Sequence, residues 1–144
     1  MTVVAVEKRD CGNLAAIHAR CFPQGWSAYD IAKLVSEPNV TALRAGTGET
    51  GGFILVRQAA DEAEILTLAV DPACRRAGYA RELLGAAELA LGEAGSRRVF
   101  LEVSDRNIAA QKLYRAAGYR DAGRRSRYYS DGSDAVIMEK AHLR

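Results

Sequence analysis

The apolar run Ile65 to Val70 ends at Asp71-Pro72, passes two adjacent arginines, Arg75 and Arg76, and a glycine, Gly78, and enters a long amphipathic stretch. In that stretch Ala80, Leu83, Leu84, Ala87, Leu91 and Ala94 keep the spacing of one helix face, while Arg81, Glu82, Glu88 and Glu93 lie off it. Gly95 closes the helix, and Arg98 to Ser104, RVFLEVS, reads as a second strand. A helix of this length between two strands is a crossover unit, so the two strands are expected to be parallel. The turn from the first strand into the helix suits an anion. The first N–H groups of a helix lack partners, the helix dipole is positive there, and small residues let backbone approach phosphate oxygens.

The rest of the chain supplies elements on either side of this unit. Residues 2–6 read as a short strand. Asp10 opens a helical stretch in which Leu14, Ile17, His18 and Cys21 share a face. Phe22-Pro23-Gln24-Gly25-Trp26 breaks it, and Ser27 caps a second helix through Val35. His18 reads as a packed histidine, and Trp26 as a core residue with one edge towards a pocket. Thr41 to Ala45 and Gly52 to Gln58 form a hairpin across GTGETG, and Ala63 to Val70 follows as a third sequential strand. No GK[ST] follows those glycines, so a P-loop is not expected. After Ser104 come a helix from Asn107 to Ala117, ended by Gly118, and strands at Tyr119 to Gly123 and Asp134 to Glu139. Residues 1–144 read as one domain, long enough to bury a core.

Composition narrows the function classes. No run approaches the ~20 apolar residues of a membrane span, and the N-terminus lacks the pattern of a signal peptide. A soluble cytoplasmic protein is the expectation. Cys11, Cys21 and Cys74 show no CxxC spacing, so reduced, unpaired thiols are expected and no metal site. Cys74, beside the arginines, is the candidate for a reactive thiol. Residues 1–72 carry six Lys/Arg and nine Asp/Glu, residues 73–144 fourteen and nine. The basic half suits a polyanionic ligand, though solvated helix faces account for many of these charges.

Two residues carry candidate chemistry. Alternation puts Phe100, Glu102 and Ser104 on one face of their strand and Val99, Leu101 and Val103 on the other. Glu102 is read two ways. In a partly dry cleft its pKa rises towards the range of a general base; alternatively it pairs with one of the many arginines. Tyr114 shares a helix face with the small residues Ala110 and Ala117, which leaves room for a ligand beside its hydroxyl. The alternative is a core tyrosine with a satisfied hydroxyl.

Together these elements resemble the GNAT superfamily of acetyl-CoA-dependent N-acetyltransferases. Its [Q/R]-x-x-G-x-[G/A] signature is matched by Arg75-Arg76-Ala77-Gly78-Tyr79-Ala80, after Val70-Asp71-Pro72. The chain is most similar to the RimI type, the ribosomal-protein-alanine N-acetyltransferases. That similarity lies in Glu62 to Pro72, the signature, Phe100 to Tyr119 and Arg124 to Glu139. The resemblance implies an α/β (α+β) GNAT fold: a mixed, twisted sheet of six to seven strands, with helices on both faces. It implies acetyl-CoA as cosubstrate. The backbone of Leu68, Ala69 and Val70 holds the acetyl-pantetheine portion, Arg75 to Arg81 the pyrophosphate, and Asn107 the pantetheine arm. It makes Glu102 the base and Tyr114 the acid.

The implied acceptor is the N-terminal amine, here of alanine, on a ribosomal or other protein. Trp26, Glu64 and Tyr128 are its candidate contacts, with Asp61 and Glu62 completing an acidic cluster and Tyr129 beside Tyr128. Arg124, Arg125 and Arg127 read as solvated or as a screen for cofactor phosphates, with steering towards a ribosomal or other RNA-rich target as the alternative. The implied state is a monomer or weak dimer, with no membrane and no direct nucleic-acid partner. A lysine or small-molecule amine as acceptor, or a non-catalytic acetyl-CoA-binding module, are the alternatives.

Overall fold

Alternating apolar residues over the central third of the chain give strands that pair in sequence order, and a crossover helix then adds the next strand in parallel. The computed structural model describes residues 2–46, 49–141 and 143. The strands are β1 (Thr2–Ala5), β2 (Val40–Gly46), β3 (Gly52–Ala59), β4 (Glu62–Val70), β5 (Arg98–Ser104), β6 (Arg120–Arg125) and β7 (Ala135–Ala141). The helices are α1 (Cys11–Cys21), α2 (Ala28–Val35), α3 (Tyr79–Glu93) and α4 (Ile108–Ala116). All seven strands form one sheet, ordered β1-β2-β3-β4-β5-β7-β6. Only the β4–β5 pair is parallel. This is the mixed sheet expected from the sequence. Part of the expected hairpin connector, residues 47–48, lies outside the described residues.

Each face of the sheet carries a core. On one face Ile54, Val56, Ile65, Val99, Leu101 and Met138 meet Leu83, Leu84, Ala87 and Leu91 of α3 and Tyr114 of α4. On the other, Phe53, Leu55 and Ala69 meet Leu14 and Ile17 of α1 and Ile31 of α2. Leu14, Ile17, Ile31, Phe53, Ile54 and Leu55 are all fully buried, and each such side chain contributes roughly 1.5–3 kcal/mol by leaving water.

Capping residues end the helices where sequence chemistry directs. Ser27 Oγ accepts from the Asp30 N–H (3.1 Å), and Asn107 Oδ1 from the Ala110 N–H (3.1 Å). Gly118, at φ 100°, turns the chain out of α4. Tyr119 does not begin the next strand, as its sequence suggests. Its ring is 3% exposed in the α3 core and its hydroxyl donates to Glu88 Oε2 (2.8 Å). β6 therefore starts at Arg120. It is an edge strand with every residue exposed and a register shift between Asp121 and Gly123.

Two irregularities shape the centre. Leu55 pairs with Thr67 and Val56 with Ile65, so Leu66 is an extra residue in β4. This bulge reverses the alternation: Ile65 and Leu68 face the α3 core, Leu66 and Ala69 the α1 core. Just beside it, β4 and β5 stop pairing. Their register runs through Glu62–Arg98, Ala63–Val99 and Glu64–Phe100, and no further rung is present among the described residues. From there to Val70 and Ser104 the two strands diverge.

Candidate active site

The gap between the diverging strands has a cationic loop at one mouth. Beyond Val70, Asp71 caps a 3₁₀ turn (Pro72–Cys74) through Oδ1, which accepts from the Ala73 N–H (3.0 Å), and pairs through Oδ2 with Arg20 of α1. Arg75, Arg76, Ala77 and Gly78 follow, all exposed, and α3 begins at Tyr79. Gly78 sits at φ 83° as the cap of α3, a conformation costly for any residue with a Cβ. Arg76 also has a positive φ of 66°. Among the described residues Arg75, Arg76 and Arg81 have no carboxylate partner. Three guanidinium groups without a carboxylate partner among the described residues, beside an open helix N-terminus, fit a polyanion such as the pyrophosphate of acetyl-CoA. Tyr79 is seated over Gly51, where a Cβ would lie 2.9 Å from the ring, so this glycine allows the close approach. Ala80 is half-buried in the first turn of α3.

Arg75 contacts a thiol from α1 rather than from its own loop. Arg75 Nη2 lies 3.6 Å from Cys21 Sγ, and Cys21 donates to the Val70 carbonyl (3.3 Å). Val70 thus has its carbonyl engaged before any ligand arrives, while Leu68 and Ala69 line β4 beyond the last shared rung. All three cysteines are free. Among the described residues no cluster of three or more His, Cys, Asp or Glu is arranged to hold a metal ion.

The other side of the gap is the end of β5 and the start of α4. Gln111 fastens this corner, its Nε2 donating to the carbonyls of Ser104, Asp105 and Asn107 (3.0–3.3 Å). Asn107 uses Oδ1 as a cap, which leaves its amide donors out of that bond. Nothing in the sequence patterns pointed to Gln111. Its place four residues after the cap, facing back to the corner, was the available signal.

Glu102 and Tyr114 belong to opposite faces of the sheet beside the gap. Leu101 and Val103 point into the core that holds Tyr114, so alternation sends Glu102 to the other face. Tyr114 is 7% exposed and packs edge-on against Tyr119, centroids 5.6 Å apart. Burial pushes its phenol well above the usual tyrosine range, so the hydroxyl keeps its proton at neutral pH.

Glu102 is not in a dry cleft. Its side chain is 31% accessible, and Oε2 lies 3.0 Å from Arg125 Nε. The second of the two readings of Glu102, pairing with an arginine, is what the resting structure shows. Arg125 also lies over the Tyr128 ring (5.5 Å), and Tyr128 meets Tyr129 edge-on (5.1 Å). Burial foremost, then the charge of Glu102 and the neighbouring Tyr128 and Asp131, pushes the Tyr129 phenol up to about 12. Two of the three arginines of this hairpin are therefore paired with carboxylates, and Arg127 meets Asp134 through its backbone N–H (2.9 Å). Arg124 pairs with Asp105 (2.9 Å) and Asp134 (3.0 Å), and Arg125 with Glu102.

The remaining expected residues are spread more widely. Glu64, at the last shared rung, pairs with Arg57 (2.9 Å). Asp61 and Glu62 lie at the opposite end of β4, beside Arg97, Arg98 and Ala141 in a depression of about 330 Å³. The three acidic residues thus do not form one cluster at the mouth of the gap. Trp26 is half-buried. Its ring stacks on His18 (4.6 Å) and its backbone N–H donates to His18 Nδ1 (3.1 Å), which makes His18 the packed residue expected. Burial holds the His18 imidazole down to about 4, neutral and able to accept that bond.

A model of the acetyltransferase (GNAT) family matches residues 12–119. The ribosomal protein bS18-alanine N-acetyltransferase of Haemophilus ducreyi is 42% identical over 90 residues, which are 60% of this chain and 62% of that one. Its namesake from Escherichia coli (strain K12) is 31% identical over 140 residues, 95% of each chain. The crystal structure of the ribosomal-protein-S18-alanine N-acetyltransferase from Escherichia coli superposes with a TM-score of 0.90 at 30% identity, over 98% of this chain and 93% of that one. The chain spans 62% of the Haemophilus relative and 21% of a Mycobacterium leprae protein to which 80 of its residues are 48% identical. No helix among the described residues is long and apolar enough to cross a membrane. With a parallel pair that opens beside a cationic helix start, and with these relatives over most of its length, the chain belongs to the acetyltransferase (GNAT) family of acetyl-CoA-dependent N-acetyltransferases and is similar to its RimI-type members.

Proposed function

We propose that the chain is an N-α-acetyltransferase that moves the acetyl group of acetyl-CoA to the N-terminal amine of a protein, an alanine on a ribosomal protein being the preferred acceptor. The observation that carries this is the opening between β4 and β5, with Glu102 on one face of the sheet and Tyr114 on the other. In this reading Arg75 to Arg81 and the N-terminus of α3 take the pyrophosphate, and Leu68 to Val70 and Asn107 take the pantetheine arm. The thioester then lies at the end of the gap. Glu102 removes a proton from the acceptor, directly or through water. The neutral nitrogen attacks the thioester carbon and sheds its extra proton to solvent, the C–S bond breaks, and the Tyr114 hydroxyl protonates the departing thiolate and is reprotonated from solvent. Tyr128, Trp26 and Glu64 are the candidate walls of the acceptor site.

An α-amine suits a single solvated carboxylate as base. Its pKa is ~8 against ~10.4 for lysine, so neutralising it at pH 7 costs roughly 3 kcal/mol less. The names of the bS18-alanine relatives support the alanine acceptor. Purified ribosomal proteins incubated with the enzyme and acetyl-CoA, and analysed by mass spectrometry, should show one protein newly acetylated on an N-terminal alanine. Unmodified N-termini on all of them would sink the acceptor assignment.

A further inference from the structure

The base has a partner that the reaction does not require. Arg125 reaches Glu102 from the far side of β7: it pairs with the small Ala135, which also faces Ser104, while Glu102 lies in the neighbouring row with Ile137 and Gly123. The approach is Nε to Oε2, 3.0 Å, and 57% of the arginine side chain is exposed. A single exposed ion pair of this kind is weak and easily exchanged. The guanidinium also has a second seat, over the Tyr128 ring. By contrast Arg124, its neighbour, is held by two carboxylates.

At neutral pH an acceptor amine arrives mostly as an ammonium. An unpartnered Glu102 would bind that ammonium as a stable salt bridge, the least reactive arrangement, because a protonated nitrogen has no lone pair for the thioester. We infer that Arg125 is a positioning residue that competes with the acceptor ammonium for Glu102, so that the amine is not trapped on the base before it loses its proton. The inference rests on Glu102 being the base. The arginine's charge raises the free energy of the bound ammonium, whereas a transition state whose proton has passed through Glu102 to solvent, leaving the carboxylate ionised, is spared that repulsion. Removing it should therefore deepen ground-state binding and slow turnover together.

The test compares wild type, Arg125→Gln and Arg125→Lys with a short peptide that begins with alanine and has a free N-terminus. With saturating acetyl-CoA, Arg125→Gln should lower the acceptor KM and kcat each by about tenfold and leave kcat/KM within about threefold. Arg125→Lys, which keeps the charge, should behave as wild type. Calorimetry with CoA in place of acetyl-CoA should show the free peptide binding about tenfold tighter to Arg125→Gln, and its N-acetylated form binding equally to both. A rise in KM would make Arg125 an acceptor-binding group and overturn the competition. A loss of kcat at constant KM, or equal peptide binding by wild type and Arg125→Gln, overturns it as well. Tighter binding of a peptide that neither enzyme acetylates would keep the competition and reject the acceptor reading.

Discussion

Glu64 and Phe100 form the third and last rung between the two parallel strands. Beyond them the facing edges of β4 and β5 turn backbone groups towards a space instead of towards each other. Buried backbone donors and acceptors are normally paired, so a ligand that supplies amides there completes the hydrogen bonding of the sheet.

CoA should therefore stabilise the fold, and at 100 times its Kd the linkage amounts to about 2.7 kcal/mol. Differential scanning fluorimetry should show the melting temperature rising by several degrees with CoA. Replacing both Arg76 and Arg81 by alanine should abolish most of that rise while leaving the ligand-free melting temperature unchanged, because neither arginine pairs with a carboxylate of the described residues.

Glu102→Gln and Tyr114→Phe test the chemistry. Each should lower kcat by about 10²–10⁴-fold, the usual worth of a proton-transfer group. Circular dichroism and the melting temperature should remain near wild type for Glu102→Gln, whose side chain is solvent-accessible. Near-wild-type turnover in both folded variants would remove these residues from the proton-transfer roles.

His18 predicts a specific acid sensitivity. Its folded pKa of about 4 lies below the unfolded ~6.5, so between those values the unfolded chain holds a proton that the folded one does not. Stability is full above the upper value and is lost as pH falls through that window, by roughly 2–3 kcal/mol. Urea titrations at pH 7 and pH 4.5 should show a smaller loss for His18→Gln than for wild type. Equal pH slopes would mean that the buried imidazole does not drive the effect.

Tyr119→Phe should cost about 1–3 kcal/mol, since Glu88 Oε2 loses its buried donor. Lys140 Nζ still holds Oε1 (2.9 Å), so the carboxylate does not become wholly unpartnered. Chemical denaturation should register the loss as a lower urea midpoint at unchanged slope.

Local chemistry was legible in the sequence, and long-range register was not. The helix start after Gly78, the caps at Ser27 and Asn107 and the crossover to β5 follow from residue type and spacing within a dozen positions. The packed state of His18 followed from its apolar helix face. The placement of β7 between β5 and β6 did not follow, because periodicity carries no information about which neighbour a strand takes. The Glu102–Arg125 pair depends on that placement. The extra residue Leu66 likewise depends on β3 opposite it. Asp61 and Glu62 looked contiguous with Glu64, yet a strand separates residues by about 3.3 Å each, enough to put the first two at the wrong end of the gap.

β6 is one open rim of the sheet, and an open rim invites strands from other molecules. RDAGRR answers with charge on four of six positions, no apolar side chain larger than alanine and a kink at its register shift, all features that discourage edge-to-edge aggregation. The arginines that repel stray strands include the one that reaches Glu102. Protection of the rim and the proposed tuning of Glu102 are thus tied to the same six residues, and a swap of Arg125 for an apolar side chain is expected to favour self-association as well as to alter kinetics.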